Sequence, residues 1–367
     1  MNDTLAELIV KILGLKDIPN TAPNYAQSRS AQPSLAEQAY ETAMIAGVLA
    51  LEYAPNTNWQ HTAVLGLTRE LPRVFLGKEQ VPLTNLALLE DALTKGLTTI
   101  SSRTREYLTN LWQEAVYGKT IEAEISRFAA KIQRTSQNFI LRAEGYNPKV
   151  SQLPEIYLQK NESHGAIFID KQTPFSGKRI NEETALLFYQ IASLKNVLRT
   201  GWYTRGITLG ETVAEHSSVA ALLGLIIATE LTPELCAENI VSQLLLHDFP
   251  NTITGDALPG TTTAQNKRER ELKAYALLTK LLSPLAGEKM NLTYQEYDAS
   301  RITGTKPTQE ALFVTSTDRL QTALRAALYE QAGNVKCREF FLEVDKKIPH
   351  SVLNKVYHDT RKYLELS

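Results

Sequence analysis

Residues 212–233, TVAEHSSVAALLGLIIATELTP, lie over residues 34–55, SLAEQAYETAMIAGVLALEYAP, without a gap at an offset of 178. Ala36/Ala214, Glu37/Glu215, Ala43/Ala221, Ala50/Ala228, Glu52/Glu230 and Pro55/Pro233 coincide. The same offset places LTRELPRVFLG (67–77) over LLHDFPNTITG (245–255), where Leu67/Leu245, Pro72/Pro250 and Gly77/Gly255 match. With ten further residues inserted in the second copy, EAEISRFAAKIQ (122–133) covers EALFVTSTDRLQ (310–321). Matched Ala and Leu mean little in helical proteins, but ungapped Pro, Gly and Ala-Glu matches point to an internal duplication. Both copies predict buried helices: apolar residues recur at helical spacing, and the Ala-Leu-Ile composition suits helix better than strand. Ser34 and Thr212 stand three residues before Glu37 and Glu215, the capping-box spacing that satisfies free N–H groups at a helix start. Pro55 and Pro233 close those helices because proline lacks the donor needed to continue. The fold expected is all-α, two tandem helical lobes at 1–145 and 186–367. A Pro-, Gly- and polar-rich connector spans 146–185, in which GAIFID reads as a short strand.

The chain has 367 residues, 43% hydrophobic and 22% charged, as in a globular protein with room for two domains. A net charge of −1 gives no bulk attraction to a nucleic-acid polymer or a membrane. Two cysteines, Cys236 and Cys337, exclude a disulfide framework. The N-terminal MNDTLAELIVKILGLKD is too short and too charged for a signal peptide or membrane span, so a cytoplasmic protein is expected. No P-loop or paired glycine-rich phosphate loop occurs. The run KRERELK, within 257–278, is short and mixed in sign, as on a solvated helix face.

The second copy sets His216 early on one helix, His247-Asp248 at the end of another and Asp318 on a third. Two imidazoles and two carboxylates suit a divalent metal ion with water completing its shell. Neighbouring side chains on a helix differ by about 100° in direction, so His247 and Asp248 reach one ion only near a helix end. LKNVLRTGWYTRGI (194–207), ETVAEHSSVAAL (211–222), LLLHDFPNTITGD (244–256) and EALFVTSTDRLQTALRAALYEQAGN (310–334) together resemble the HD-domain phosphohydrolase superfamily. Within it they look like the bacterial 5′-deoxynucleotidases and their eukaryotic relatives, over about residues 186–334. That resemblance implies His216, His247, Asp248 and Asp318 as ligands of a divalent ion: cobalt, manganese, zinc, magnesium or iron. It also implies Arg199 on the phosphate and Trp202 against the sugar of a nucleotide, where crowding favours a 2′-deoxyribose. Arginine's planar fork of donors suits two phosphate oxygens independently of any family.

The pattern departs from the family in one place. Members usually carry a glutamate three residues after the HD aspartate; here that residue is Asn251, whose amide cannot accept a proton at neutral pH. Asp256 is the remaining candidate for proton handling, while Glu215 has a capping role that explains it. The first copy carries Gln38, Arg69, Glu70 and Ala130 at the four ligand positions, so no metal is expected there. His61, His164, His350 and His358 read as packing or surface residues. The function expected is metal-dependent release of phosphate from deoxynucleoside 5′-monophosphates, with the degenerate copy standing in for the partner of an internal pseudo-dimer. The rivals are a nucleotide sensor that kept the pocket but lost turnover with Asn251, a dNTP triphosphohydrolase, and a di-iron oxygenase, for which further ligands are wanting.

Overall fold

The computed structural model describes residues 3–19, 33–77, 85–143, 158–160, 167–169, 173–258, 260–338 and 348–366. His164 and much of the connector read at 146–185 lie outside these residues. The architecture is all-α. Helices α1 (Asp3–Leu13), α2 (Leu35–Tyr53), α3 (Trp59–Thr68), α4 (Leu86–Gly96), α5 (Ser102–Tyr117) and α6 (Ile121–Ala143) make up the first half. A three-residue hairpin follows, β1 (Leu158–Lys160) paired antiparallel with β2 (Ile167–Ile169), the latter inside the GAIFID segment expected to be extended. The second half comprises α7 (Glu182–Ser193), α8 (Thr200–Tyr203), α9 (Val213–Leu231), α10 (Ala237–Leu246), α11 (Asn251–Thr254), α12 (Ala264–Thr279), α13 (Pro284–Ala299), α14 (Gln309–Gln331) and α15 (Ser351–Leu366).

The two long helices at the centre start as their sequence predicts. Ser34 caps α2 and Thr212 caps α9, each in a complete capping box with Glu37 or Glu215. Apart from Glu37 and Glu52, every residue of α2 is buried, and so is every residue of α9 from Val213 to Ala228. A helix apolar on all faces must be enclosed, and these two are enclosed by each other and by the shells around them. Although α9 is long and apolar enough to cross a membrane, it is a buried core helix here.

At the offset that aligns the two copies, α9 and α10 keep both bounds of α2 and α3, and α14 keeps both bounds of α6 once the insertion is allowed for. Contacts across the halves come in matched pairs. The N-cap of α5, Ser101, donates its N–H to Glu230 at 3.1 Å, and the N-cap of α13, Ser283, donates to Glu52 at 2.9 Å. Helix α3 lies on α10, where Gln60 Nε2 donates to Ser242 Oγ at 2.8 Å and Asn58 Nδ2 to Glu238 Oε2 at 2.7 Å. The leading helices cross over: α1 packs on α9 and α15, and α7 on α2, where Tyr53 Oη donates to Thr184 Oγ1 at 3.2 Å.

Three features of the second half aim side chains at one point. A single bridge, Leu198 to Thr212, closes the loop that carries Arg199, Trp202 and Glu211 against the start of α9. Helix α10 ends at Leu246, so His247 and Asp248 occupy its C-terminal turn. Gly255 ends α11 with φ 66°, a conformation natural to glycine, and turns the chain so that Asp256 reaches Thr200.

Candidate metal centre

His216 sits on the first turn of α9, His247 and Asp248 at the end of α10, and Asp318 in the middle of α14. The structure brings all four together. His216 Nε2 lies 3.2 Å from His247 Nε2 and 3.0 Å from Asp318 Oδ1. Asp248 Oδ2 lies 3.4 Å from His247 Nε2 and 4.0 Å from His216 Nε2, and Asp318 Oδ1 lies 3.9 Å from His247 Nε2. Ligands about 2.0–2.2 Å from a common ion are separated by about 3 Å; three of these five distances are near that spacing, and the ligand atoms of His216, His247 and Asp248 all lie within 4.8 Å of one another.

The hydrogen bonds at the far side of each ring fix what the near side offers. His247 Nδ1 is 2.7 Å from the carbonyl of Leu244, which only accepts, so Nδ1 carries the proton and Nε2 a lone pair. His216 Nδ1 is 2.6 Å from Gln321 Oε1, which assigns the same form. Two imidazole nitrogens and two carboxylate oxygens then converge, the kind of donor set that a divalent cation takes up. Burial holds the His247 imidazole below its ordinary pKa, toward the neutral ligand form. Burial alone would raise the Asp248 carboxyl, but His247, Arg199 and His216 outweigh it and hold it down at about 2. Asp318 is also lowered: His216, His247 and Arg199 beside it overcome burial. Two carboxylates held ionised stand against one fixed cation, Arg199, and leave the immediate cluster with excess negative charge. The donor set therefore fits a divalent ion.

The other expected residues are placed as follows. Arg199 reaches the cluster, its Nη1 3.4 Å from Asp248 Oδ2 and its Nη2 3.2 Å from Thr322 Oγ1. Trp202 does not present its face to the site: it is 1% exposed, and its Nε1–H donates to Glu211 at 3.1 Å. Asp256 Oδ2 accepts from Thr200 N–H at 2.7 Å and Thr200 Oγ1 at 3.0 Å, holding the start of α8. Asn251 is buried; its Oδ1 accepts from Thr254 at 3.3 Å, and its Nδ2 has no partner among the described residues. His61 binds Glu238 and Glu114, His350 packs on Phe313 and His358 on Tyr357.

The corresponding place in the first half holds side chains that satisfy one another. Gln38 Nε2 donates to Glu70 Oε1 at 3.1 Å, and Arg73 Nη1 lies 3.2 Å from Glu70 Oε2. Arg69, at the position matching His247, donates to the Ala115 carbonyl at 2.7 Å. Arg73, at the position matching Asn251, supplies the positive charge.

Sequence reasoning missed Glu211, Gln321 and Arg325, all buried: Gln321 and Glu211 face His216, and Arg325 pairs with Glu211. Gln321 could have been noticed, since it stands one helical turn after Asp318 and matches Gln133 in the repeat. Glu211 and Arg325 carried no signal in spacing.

The HD domain family model matches residues 191–359, which include all four clustered residues and Arg199. The 5′-deoxynucleotidase HDDC2 of Dictyostelium discoideum is 28% identical over 183 residues, covering 47% of this chain and 93% of that protein. The 5′-deoxynucleotidase HDDC2 of Bos taurus is 29% identical over 163 residues, 44% of this chain and 75% of its own length. Among solved structures, a conserved hypothetical protein from Pyrococcus furiosus aligns at 24% identity and TM-score 0.41, covering 48% of this chain and 98% of that one.

Proposed function

We propose that the HD domain in the C-terminal half of this chain is a metal-dependent phosphohydrolase acting on deoxynucleoside 5′-monophosphates in the cytoplasm. The observation that carries the metal is the convergence of His216 Nε2, His247 Nε2, Asp248 and Asp318 from three separate helices. The nucleotide rests on the relatives, which are 5′-deoxynucleotidases. A divalent ion bound there acidifies water and polarises a phosphoryl oxygen. Arg199 turns its guanidinium fork from Asp248 toward the phosphate, close to where the negative charge must be held. Asp256 takes the proton from the attacking water, its Oδ2 keeping Thr200 and the start of α8 in place. Trp202, enclosed and bonded to Glu211, sets the shape of the sugar-facing loop from behind.

Asn251 favours a second reading, a nucleotide sensor that binds without turnover. Phosphate release measured with malachite green over a nucleotide panel, with Mn²⁺, Co²⁺ or Mg²⁺, separates the two. The enzyme reading expects release by the wild type, with Asn251→Glu faster, toward the ~10²–10⁴-fold that a general acid/base contributes. Nucleotide binding with release only from Asn251→Glu selects the sensor, and absence of both metal and nucleotide binding ends both readings.

The same reading divides the chain into a degenerate lobe (1–145), a connector (146–185) and a metal-bearing lobe (186–367), a pseudo-dimer in one chain. Its support is the reciprocal bonding of Ser101 to Glu230 and Ser283 to Glu52, the two glutamates being matched positions of the repeat.

A further inference from the structure

We propose that Glu211 is a positioning residue for the metal centre: acting through Gln321 it fixes the tautomer of His216, and Arg325 ties this relay to the N-terminal segment. The inference rests on the reading of the four-residue cluster as a metal centre. A neutral imidazole has one lone pair, and only the form with its proton on Nδ1 turns that pair toward His247 and Asp318. For His247 a backbone carbonyl enforces this form. For His216 the partner is the Gln321 amide, which has an accepting side and a donating side. Flipped about its Cγ–Cδ bond, the amide would offer N–H to Nδ1 and drive the ring proton onto Nε2, into the ion's place.

Glu211 prevents that flip. Its Oε2 lies 2.9 Å from Gln321 Nε2, and an ionised carboxylate only accepts, so the amide must keep its NH₂ toward Glu211 and its oxygen toward His216. Glu211 is itself held by donors alone. Trp202 Nε1 donates to Oε1 at 3.1 Å, and the Arg325 guanidinium forms an ion pair with Oε2, its Nε 3.3 Å away. All of Glu211 is enclosed, so Arg325 also supplies the charge its burial requires. The far end of Arg325 donates to the carbonyl of Leu13 and lies 3.5 Å from Asp17 Oδ2. Leu13 and Asp17 fall outside the stretch matched by the family model. One support of the centre therefore comes from the opposite end of the chain.

The test uses the full chain, stripped of metal and labelled with ¹⁵N at its six histidines. Long-range ¹H–¹⁵N correlation reads each ring's tautomer, and Co²⁺ titration by calorimetry reads affinity. In the wild type His216 is expected as the Nδ1–H form. In Glu211→Gln, an amide replaces the carboxylate to which both Gln321 and Trp202 donate, so a mixed or reversed His216 tautomer and about 10–100-fold weaker Co²⁺ binding are expected. Arg325→Met should weaken Co²⁺ binding as well, and Arg325→Lys should recover most of it. An Nε2–H form in the wild type overturns the proposal without any variant. So does Glu211→Gln with an unchanged tautomer and affinity within twofold. A wild type that binds no Co²⁺, Mn²⁺ or Mg²⁺ sinks the metal-centre reading instead, and the tautomer measurement still decides the relay.

Discussion

Asn251 and Arg73 occupy matching positions in the two halves and show how one residue changes what a site is. Arg73 brings a fixed cation to Glu70, and Gln38 completes that carboxylate's bonding. In the second half Asn251 brings no charge; Arg199 pairs with Asp248 at 3.4 Å, and Asp318 adds a second carboxylate that Arg199 alone does not balance. Binding to the folded state alone raises stability by about 2.7 kcal/mol at 100-fold excess over Kd. Differential scanning fluorimetry should therefore show Mn²⁺ or Co²⁺ raising the melting temperature of the wild type and leaving His247→Gln unmoved. Equal shifts in both proteins would place the ion elsewhere.

At the level of elements, close helix crossings and one bridging histidine hold the halves. A Cβ on Gly66 of α3 would stand 2.8 Å from Cα of Ala43 on α2, a backbone atom that cannot swing aside. At the corresponding crossing in the second half, Gly224 of α9 faces the flexible end of Leu244. Urea unfolding should show Gly66→Ala destabilised by about 1–3 kcal/mol and Gly224→Ala by less; the reverse order would contradict the geometry. His61 links α3 to α10 and α5, with Nδ1 2.8 Å from Glu238 and Nε2 3.1 Å from Glu114. The bond to Glu238, against burial and with help from Glu114, raises its pKa to about 8. A raised folded-state pKa gives stability that is complete below ~6.5 and lost as pH rises through about 8. The wild type should melt above His61→Gln at pH 6, with the gap closing by pH 9; a gap independent of pH would mean that packing alone holds His61.

For the molecule as a whole, the first half covers apolar faces of the second. Leu8, Ile9 and Ile12 of α1 are fully buried on a helix that packs against α9 and α15. Removing residues 1–145 strips that cover, the α2 face of α9 and the α3 face of α10 together, exposing a large apolar surface. Light scattering should find the remainder insoluble or self-associated. A well-behaved monomer would count heavily against an internal pseudo-dimer.

The sequence by itself determined the helical class, the starts of α2 and α9 from their capping boxes, and the residues that meet at the candidate metal centre. These are local signals: a cap is written within four residues, and a helix face in its period. The four motifs also keep an order that the resemblance could read. Only the tertiary structure decided which proton sits on which imidazole nitrogen, that Trp202 turns inward to Glu211, that Arg73 rather than Arg69 fills the first-half site, and that Leu13 supports Arg325. Each of those depends on a distance between side chains from separate helices. Such distances follow from packing of the whole core, and spacing along the chain does not encode them.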